Sequence, residues 1–208
     1  GCKCRSLRKW PADMTIEELI IKNRTCRRFY ENHPVTKETL LSLVNLARLS
    51  ASAANRQPLR YILSWEKARN DKIFPCLAWA AYLTDWTGPA EGERPAAYII
   101  ITGDTTITDN FWCDHGIVSQ SMMLGAREAG LAGCMIGAFN EKKLREALNI
   151  PEHLKIMLVL ALGKPREKVV IDVVGPDGDI RYWRDAHGVH HVPKRSLDDV
   201  LVEVLVDV

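Results

Sequence analysis

The order of secondary-structure signals along this 208-residue chain predicts an α+β fold. Three observations carry that expectation. Two helical stripes precede any long strand signal. The runs 97–102 and 156–162 are continuously apolar, as in strands covered on both faces. The full order (helix, helix, strand, helix, strand, helix, helix, strand, hairpin) lacks the regular alternation of a doubly wound parallel sheet.

Each element has its own local signal. Thr15 followed by Glu18 has capping-box spacing, and Ile16, Leu19 and Ile20 share one helical face, so a helix is expected over 15–23. Asn32 and Pro34 mark a turn. Leu40, Leu43, Val44 and Ala47 then recur at helical spacing and form the stripe of a second amphipathic helix. The polar loop Ser50-Ala51-Ser52-Ala53-Ala54-Asn55-Arg56-Gln57-Pro58 leads into a first strand at 61–65. Residues 117–126 carry no charge, so the helix expected over 110–129 should be buried nearly all round. Leu144, Ala147 and Leu148 mark a short helix that opens near Asn140 and closes before Pro151. The runs 169–174 and 180–184 flank the turn sequence Gly175-Pro176-Asp177-Gly178 and read as a hairpin. The β-branched tail 200–208 reads as either an edge strand or a helix end.

Composition narrows the function classes. No break divides the chain, so one domain is expected over 14–208, preceded by an extension at 1–13 that reads as a tag or processing remnant. Hydrophobic residues at 47% exclude a largely disordered chain. The net charge of +2, from 28 basic and 26 acidic side chains, creates no global field that calls for nucleic acid or an anionic membrane. The apolar runs fall well short of the roughly 20 residues that span a bilayer, so no transmembrane segment is expected. Six cysteines, two of them Cys2 and Cys4, are scattered without a CxxC pair. That pattern suits a reducing, cytoplasmic setting, unless a signal peptide once preceded Cys2.

Several common chemistries lose their support. The chain has no GxG, and therefore no dinucleotide fingerprint, and it lacks the phosphate-loop, HExxH and GxSxG patterns. His187-Gly188-Val189-His190-His191 could ligate zinc or copper in principle, but no Cys or carboxylate cluster lies beside it, so no metal is expected. What remains are two basic clusters and a polar loop. Asn23-Arg24-Thr25-Cys26-Arg27-Arg28-Phe29, where the first helix ends, could grip a phosphate dianion or could simply answer the helix dipole. His190-His191-Val192-Pro193-Lys194-Arg195-Ser196 is a second cluster, readable as an anion site or an exposed strand end. Between them, Ser52, Asn55 and Gln57 offer amides and a hydroxyl of the kind that fix a planar heterocycle.

Jointly these segments resemble the nitroreductase family. Residues 23–29 are similar to its opening Arg-Arg-Ser-x-Arg-x-Phe, with Asn23 in place of the first arginine and Thr25 in place of the serine. Residues 51–59 are similar to its Pro-Ser-x-x-Asn-x-Gln-Pro-Trp, without the proline and the tryptophan. Residues 114–133 look like its central helix, Ile136-Gly137-Ala138-Phe139 like its flavin-contacting loop, and Ala161-Leu162-Gly163-Lys164-Pro165 like its Leu-Gly-x-Pro strand end.

The resemblance implies a central, mostly antiparallel sheet flanked by helices, and noncovalent FMN at the interface of a homodimer. It places Arg24, Thr25, Arg27, Lys194 and Arg195 at the flavin phosphate. Ser52, Asn55 and Gln57 would reach the ring from either subunit, and Ile136 and Gly137 would approach it by their backbone. NAD(P)H would be the co-substrate and a nitroaromatic, quinone or similar small molecule the electron acceptor, in a ping-pong cycle with no protein group named as catalytic. The other outcomes of the same resemblance are a dehalogenase-like or flavin-destroying reaction, or a non-catalytic FMN-storage protein. The segment 78–94, with Trp79, Tyr82 and Trp86, reads equally as a lid over the flavin or as core.

Overall fold

The structure is a computed structural model that describes residues 14–204. The readings of the 1–13 extension, with Cys2 and Cys4, and of the last four residues lie outside the described residues.

The sheet is organised by its longest strand, β5 (Leu154–Pro165). One edge of β5 pairs antiparallel with β3 (Ala97–Asp104), from Ala97 opposite Leu162 to Asp104 opposite Leu154. The outer edge of β3 carries antiparallel β2 (Leu59–Ser64), which is the first long strand expected from the sequence. The other edge of β5 is shared. β4 (Ala132–Ile136) takes the stretch from Val159 to Gly163, and the two-residue β1 (Phe29–Tyr30) takes Lys164 and Pro165. All four pairings are antiparallel, and the helices lie on both faces, which is an α+β architecture.

Strand alternation sorts the core into two layers. Ala97, Ile99, Ile101, Leu160 and Leu162 pack beneath α2 (Lys37–Leu49) and α4 (Asp114–Glu128). Tyr98, Ile100, Val159 and Ala161 pack against α3 (Lys67–Ile73) and α5 (Glu141–Leu148) on the opposite face. Every residue of β3 is buried, so the unbroken apolar run is the sequence image of a two-sided core. Helix ends follow the local rules. Thr15 and Glu18 form both halves of a capping box at α1 (Ile16–Lys22), Thr36 caps α2, and Asn140 caps α5, which closes on left-handed Asn149.

Three expectations need correction. α4 begins at Asp114, later than expected, because Asn110 and Thr108 hold the preceding residues in turns, with the Trp112 N–H bonded to Asn110 Oδ1 at 3.0 Å. Nor is α4 buried all round. Val118, Met122, Met123 and Ala126 face the core, whereas Gly116, Ile117 and Gln120 are exposed, so the missing charges mark an uncharged surface as well as a core face. The runs 169–174 and 180–184 do not pair with each other. β8 (His190–Lys194) lies between β6 (Val169–Val173) and β7 (Trp183–Arg184), parallel to the first and antiparallel to the second. The Gly175 to Gly178 turn forms, but the Asp179–Arg181 ion pair carries the chain onward. The reversal comes instead at Asp185, whose carboxylate accepts the N–H groups of His187 and Val189. Ser196 and Asp199 cap a short helix, α6 (Leu197–Val200), so the tail begins at a helix end, and residues 201–204 belong to neither helix nor strand. No helix among the described residues is long and apolar enough to cross a membrane.

Gly133 is the tightest point where β4 meets β5. A Cβ there would lie 2.4 Å from the Ala161 carbonyl oxygen and 2.9 Å from Leu162 Cδ2. Backbone cannot yield as a side-chain tip can, so Gly133→Ala should destabilise the protein by roughly 1–3 kcal/mol, the usual range for overpacking. A urea midpoint equal to wild type would show that the strand pair absorbs the methyl.

Candidate anion and cofactor site

The segment after α1 is pinned to the sheet by main-chain contacts. Thr25 makes a parallel bridge to Gly133, and the Cys26 N–H donates to the Gly133 carbonyl at 2.9 Å. Glu167, just beyond β5, then accepts the N–H groups of Arg27 and Arg28 at 2.5 and 3.2 Å. β8 lies alongside through its pairing with β6. The two basic clusters, more than 160 positions apart in sequence, therefore meet at one cleft of about 280 Å3.

Asn23, Arg24, Thr25, Arg27, His190 and Lys194 line that cleft, with Tyr182, Gln120, Met123, Gly133, Met135 and Val192. The Arg27 guanidinium is nearly buried. It sits 4.7 Å from the Tyr182 ring centroid, and its Nη1 lies 3.4 Å from His190 Nε2. Arg24 donates from Nη2 to the Ile20 carbonyl at 2.7 Å, while its Nε is buried without a partner. Burial lowers the pKa of Arg24, because no carboxylate offsets the loss of water. Among the described residues Arg24, Arg27 and Lys194 form no ion pair with a carboxylate. Arg28, by contrast, is consumed by a bidentate bond to Glu93 at 2.7 and 2.5 Å. Three cations thus converge on one cleft next to an unsatisfied donor, and guanidinium and ammonium groups so placed have the chemistry to hold an anion.

The remaining expected residues lie elsewhere. Arg195 is exposed beyond β8 and does not line the cleft; its charge helps to lower the Asp199 pKa, where the Ser196 hydrogen bonds dominate. Ser52, Asn55 and Gln57 are also outside the cleft of their own chain. Ser52 donates to buried Asp114 at 2.6 Å and accepts the Gln57 N–H at 2.9 Å, so its hydroxyl holds the loop. Gln57 donates to Asn55 Oδ1 at 3.0 Å, and both residues are exposed with positive φ. Ile136 is buried in the core at the end of β4, and Gly137 is exposed beside it. A Cβ at Gly137 would meet only Leu158 Cδ1, at 3.8 Å, so the chain's own packing does not require glycine there.

The segment 78–94 divides between its two readings. Trp79 packs on the core near Phe74, whereas Tyr82 lies 5.0 Å from Tyr182 and Trp86 lies 4.5 Å from the Arg184 guanidinium. Tyr182, Gln120 and Met135 had no signal in the sequence beyond ordinary polarity and aromaticity. His190 had one, its place in a basic cluster. Its side chain does not join a metal set: among the described residues no group of three or more His, Cys, Asp and Glu converges. His191 instead bonds Asp172 at 2.7 Å and stacks on Trp183.

Residues 21–164 match the family model described as nitroreductase. The chain belongs to the nitroreductase family. An Archaeoglobus fulgidus protein provisionally named NADH dehydrogenase/NAD(P)H nitroreductase is 24% identical over 72% of this chain and 85% of its own length. A Methanothermobacter thermautotrophicus protein of the same provisional name is 27% identical over 76% and 82%. Among solved structures, a nitroreductase family protein from Clostridium difficile superposes with a TM-score of 0.59 at 28% identity, covering 74% of this chain and 86% of that one. An FMN-dependent nitroreductase from the same species superposes at 0.59 with 21% identity, over 72% and 87%, and shows the shared nitroreductase fold.

Buried His190 gives this family member a titratable feature. Its burial pushes the imidazole pKa down from 6.5 to about 4; Glu167 opposes the shift, while Arg27 and Arg184 add to it. The neutral form is therefore favoured in the folded state, and the unfolded chain binds the proton more readily. This contribution to stability is complete above pH 6.5 and is lost as the pH falls toward 4. His190→Gln should flatten the decline of unfolding free energy across that window, by at most about 1.4 kcal/mol per pH unit. Parallel wild-type and variant curves in denaturant titrations at several pH values would count against a neutral His190.

Proposed function

We propose that this chain is an FMN-dependent NAD(P)H oxidoreductase that reduces a nitroaromatic, quinone or similar small acceptor. The observation that carries the reading is the convergence on one cleft of Arg24, Arg27 and Lys194, which have no carboxylate partner among the described residues. A flavin phosphate of nearly two negative charges fits that donor set. It would give the stranded Nε of Arg24 an acceptor, and Thr25 a partner for its hydroxyl. The relatives with NAD(P)H nitroreductase names support the redox class.

When bound, FMN supplies the two-electron chemistry, with NAD(P)H as donor and the acceptor following in ping-pong order. The protein's part is to bind, orient and exclude water. Gly133 forms part of the cleft wall, and Met123 and Met135 give it an apolar lining that would suit a flavin ring. No protein nucleophile is assigned. The thiols of Cys26 and Cys134 are buried and pushed up to about 12 and about 11, chiefly by desolvation, so neither is a thiolate at neutral pH.

Part of the site is assigned to a second subunit. Asn55 and Gln57 present paired amides on a loop away from their own cleft, a geometry suited to reaching the flavin of a partner in a homodimer. α1 leaves Ile16, Ile20 and Ile21 exposed, and α4 leaves Ile117 exposed; these apolar faces would be covered by such a partner.

Purified protein should be yellow, retain FMN through gel filtration, and oxidise NAD(P)H when a quinone or nitroaromatic is added. FMN binding without turnover would instead make it a storage protein. Replacing Arg27 by Ala should lower FMN affinity by roughly 1.5–3 kcal/mol, the range for a hydrogen bond to a charged group. Unchanged retention on dialysis of that variant would remove Arg27 from the site.

A further inference from the structure

Glu167 stands directly behind the cleft without lining it. Its side chain is 1% exposed, and both carboxylate oxygens are engaged. Oε1 accepts the main-chain N–H groups of Arg27 and Arg28, and Oε2 accepts Arg184 Nη2 at 2.9 Å. Arg184 is in turn fixed against the Trp86 ring. One buried carboxylate thus grips the backbone of the residue whose guanidinium enters the cleft, and ties it to β7.

The division of roles is physically specific. A carboxylate paired directly with the Arg27 guanidinium would satisfy that cation and compete with any anionic ligand. Glu167 places its negative charge on the main-chain side instead, so that no carboxylate among the described residues occupies the Arg27 guanidinium, whose neighbours are His190 and Tyr182. Nearby Arg28 shows the alternative, since its side chain is closed off by Glu93. Glu167 also fixes two consecutive main-chain N–H groups, which sets the path of the backbone through Arg27.

Resting on the function proposed above, we infer that Glu167 is a positioning residue for phosphate recognition. It holds the Arg24 to Arg28 segment so that Arg24 and Arg27 reach the phosphate of the cofactor. It touches neither the cofactor nor the substrate, and its effect is selective for the phosphate end.

Riboflavin, which shares the ring and lacks the phosphate, separates this role from a merely structural one. Binding of FMN and of riboflavin to the full-length apoprotein is measured by quenching of flavin fluorescence. Glu167→Gln, which cannot accept at both oxygens, should weaken FMN by about tenfold or more, the equivalent of one lost charge-assisted hydrogen bond. Riboflavin affinity should change less than about twofold, within the spread expected of an unaffected contact. Glu167→Asp keeps the charge but is too short to serve both N–H groups and Arg184, so it should show a smaller loss with the same selectivity. It supplies the test should the glutamine variant fail to fold. Equal weakening of both flavins, or of neither, in a folded variant would overturn the positioning role and leave the flavin site standing. Wild-type protein that bound FMN no more tightly than riboflavin would overturn both.

Discussion

Main-chain pairing along both edges of β5 is the constraint on which the rest of the structure depends. Its twelve residues are long enough to serve β3 on one side and β4 followed by β1 on the other. Because β4 occupies the shared edge, Gly133 lies beside the end of the Arg24 to Arg28 segment and binds it through the Thr25 bridge. Because β5 runs on past β4, it delivers Glu167 to the back of that same segment. The cleft is thus built by strand register before any side chain is considered, and the close contact of Gly133 with the Ala161 carbonyl is a condition of that register.

Charge is then arranged around this frame in two different ways. Outside the cleft, most of the cations near it are matched: Arg28 and Arg166 to Glu93, Arg184 to Glu167. Flat contacts on aromatic rings add to the matching, with Arg166 near Tyr30 and Arg184 near Trp86. Inside it, among the described residues, Arg24, Arg27 and the exposed Lys194 lack a carboxylate, and buried Arg27 has an aromatic ring and a neutral imidazole as neighbours instead. An interior normally avoids such an arrangement, because a desolvated charge is costly unless it is paired. At this cleft the arrangement stands next to well-matched pairs, which sets it apart from ordinary surface basicity.

Much of this was legible in the sequence, for physical reasons that can be named. The runs in β3 and β5 have no alternation because both faces are covered, and the caps at Thr15 and Asn140 are local hydrogen bonds that need no tertiary context. The grouping of Arg24, Thr25, Arg27 and Lys194 at one cleft was expected from residue types in family order, which survive where individual motifs are weak. The β6–β8–β7 arrangement was not legible. A turn sequence such as Gly175 to Gly178 specifies a reversal, but not which later strand fills the gap, and parallel pairing of β6 with β8 has no local signature. Tyr182, Glu167 and β4 were missed for the same reason: each acts through contacts distant in sequence. The exposed face of α4 was misread because a lack of charge looks the same whether a face meets the core or another surface.

The unmatched guanidinium of Arg27 also bears on how much folded protein there is to act. A ligand that binds only the native state adds RT ln(1 + [L]/Kd) to its stability, about 2.7 kcal/mol at a hundredfold excess over Kd. Here the ligand would also offset the desolvation of neighbouring Arg24, so the protein without its anion would start from a lower stability. Under the proposed function, the supply of cofactor would then govern survival of the polypeptide as well as its activity, and chains made faster than cofactor would be the first lost to proteolysis.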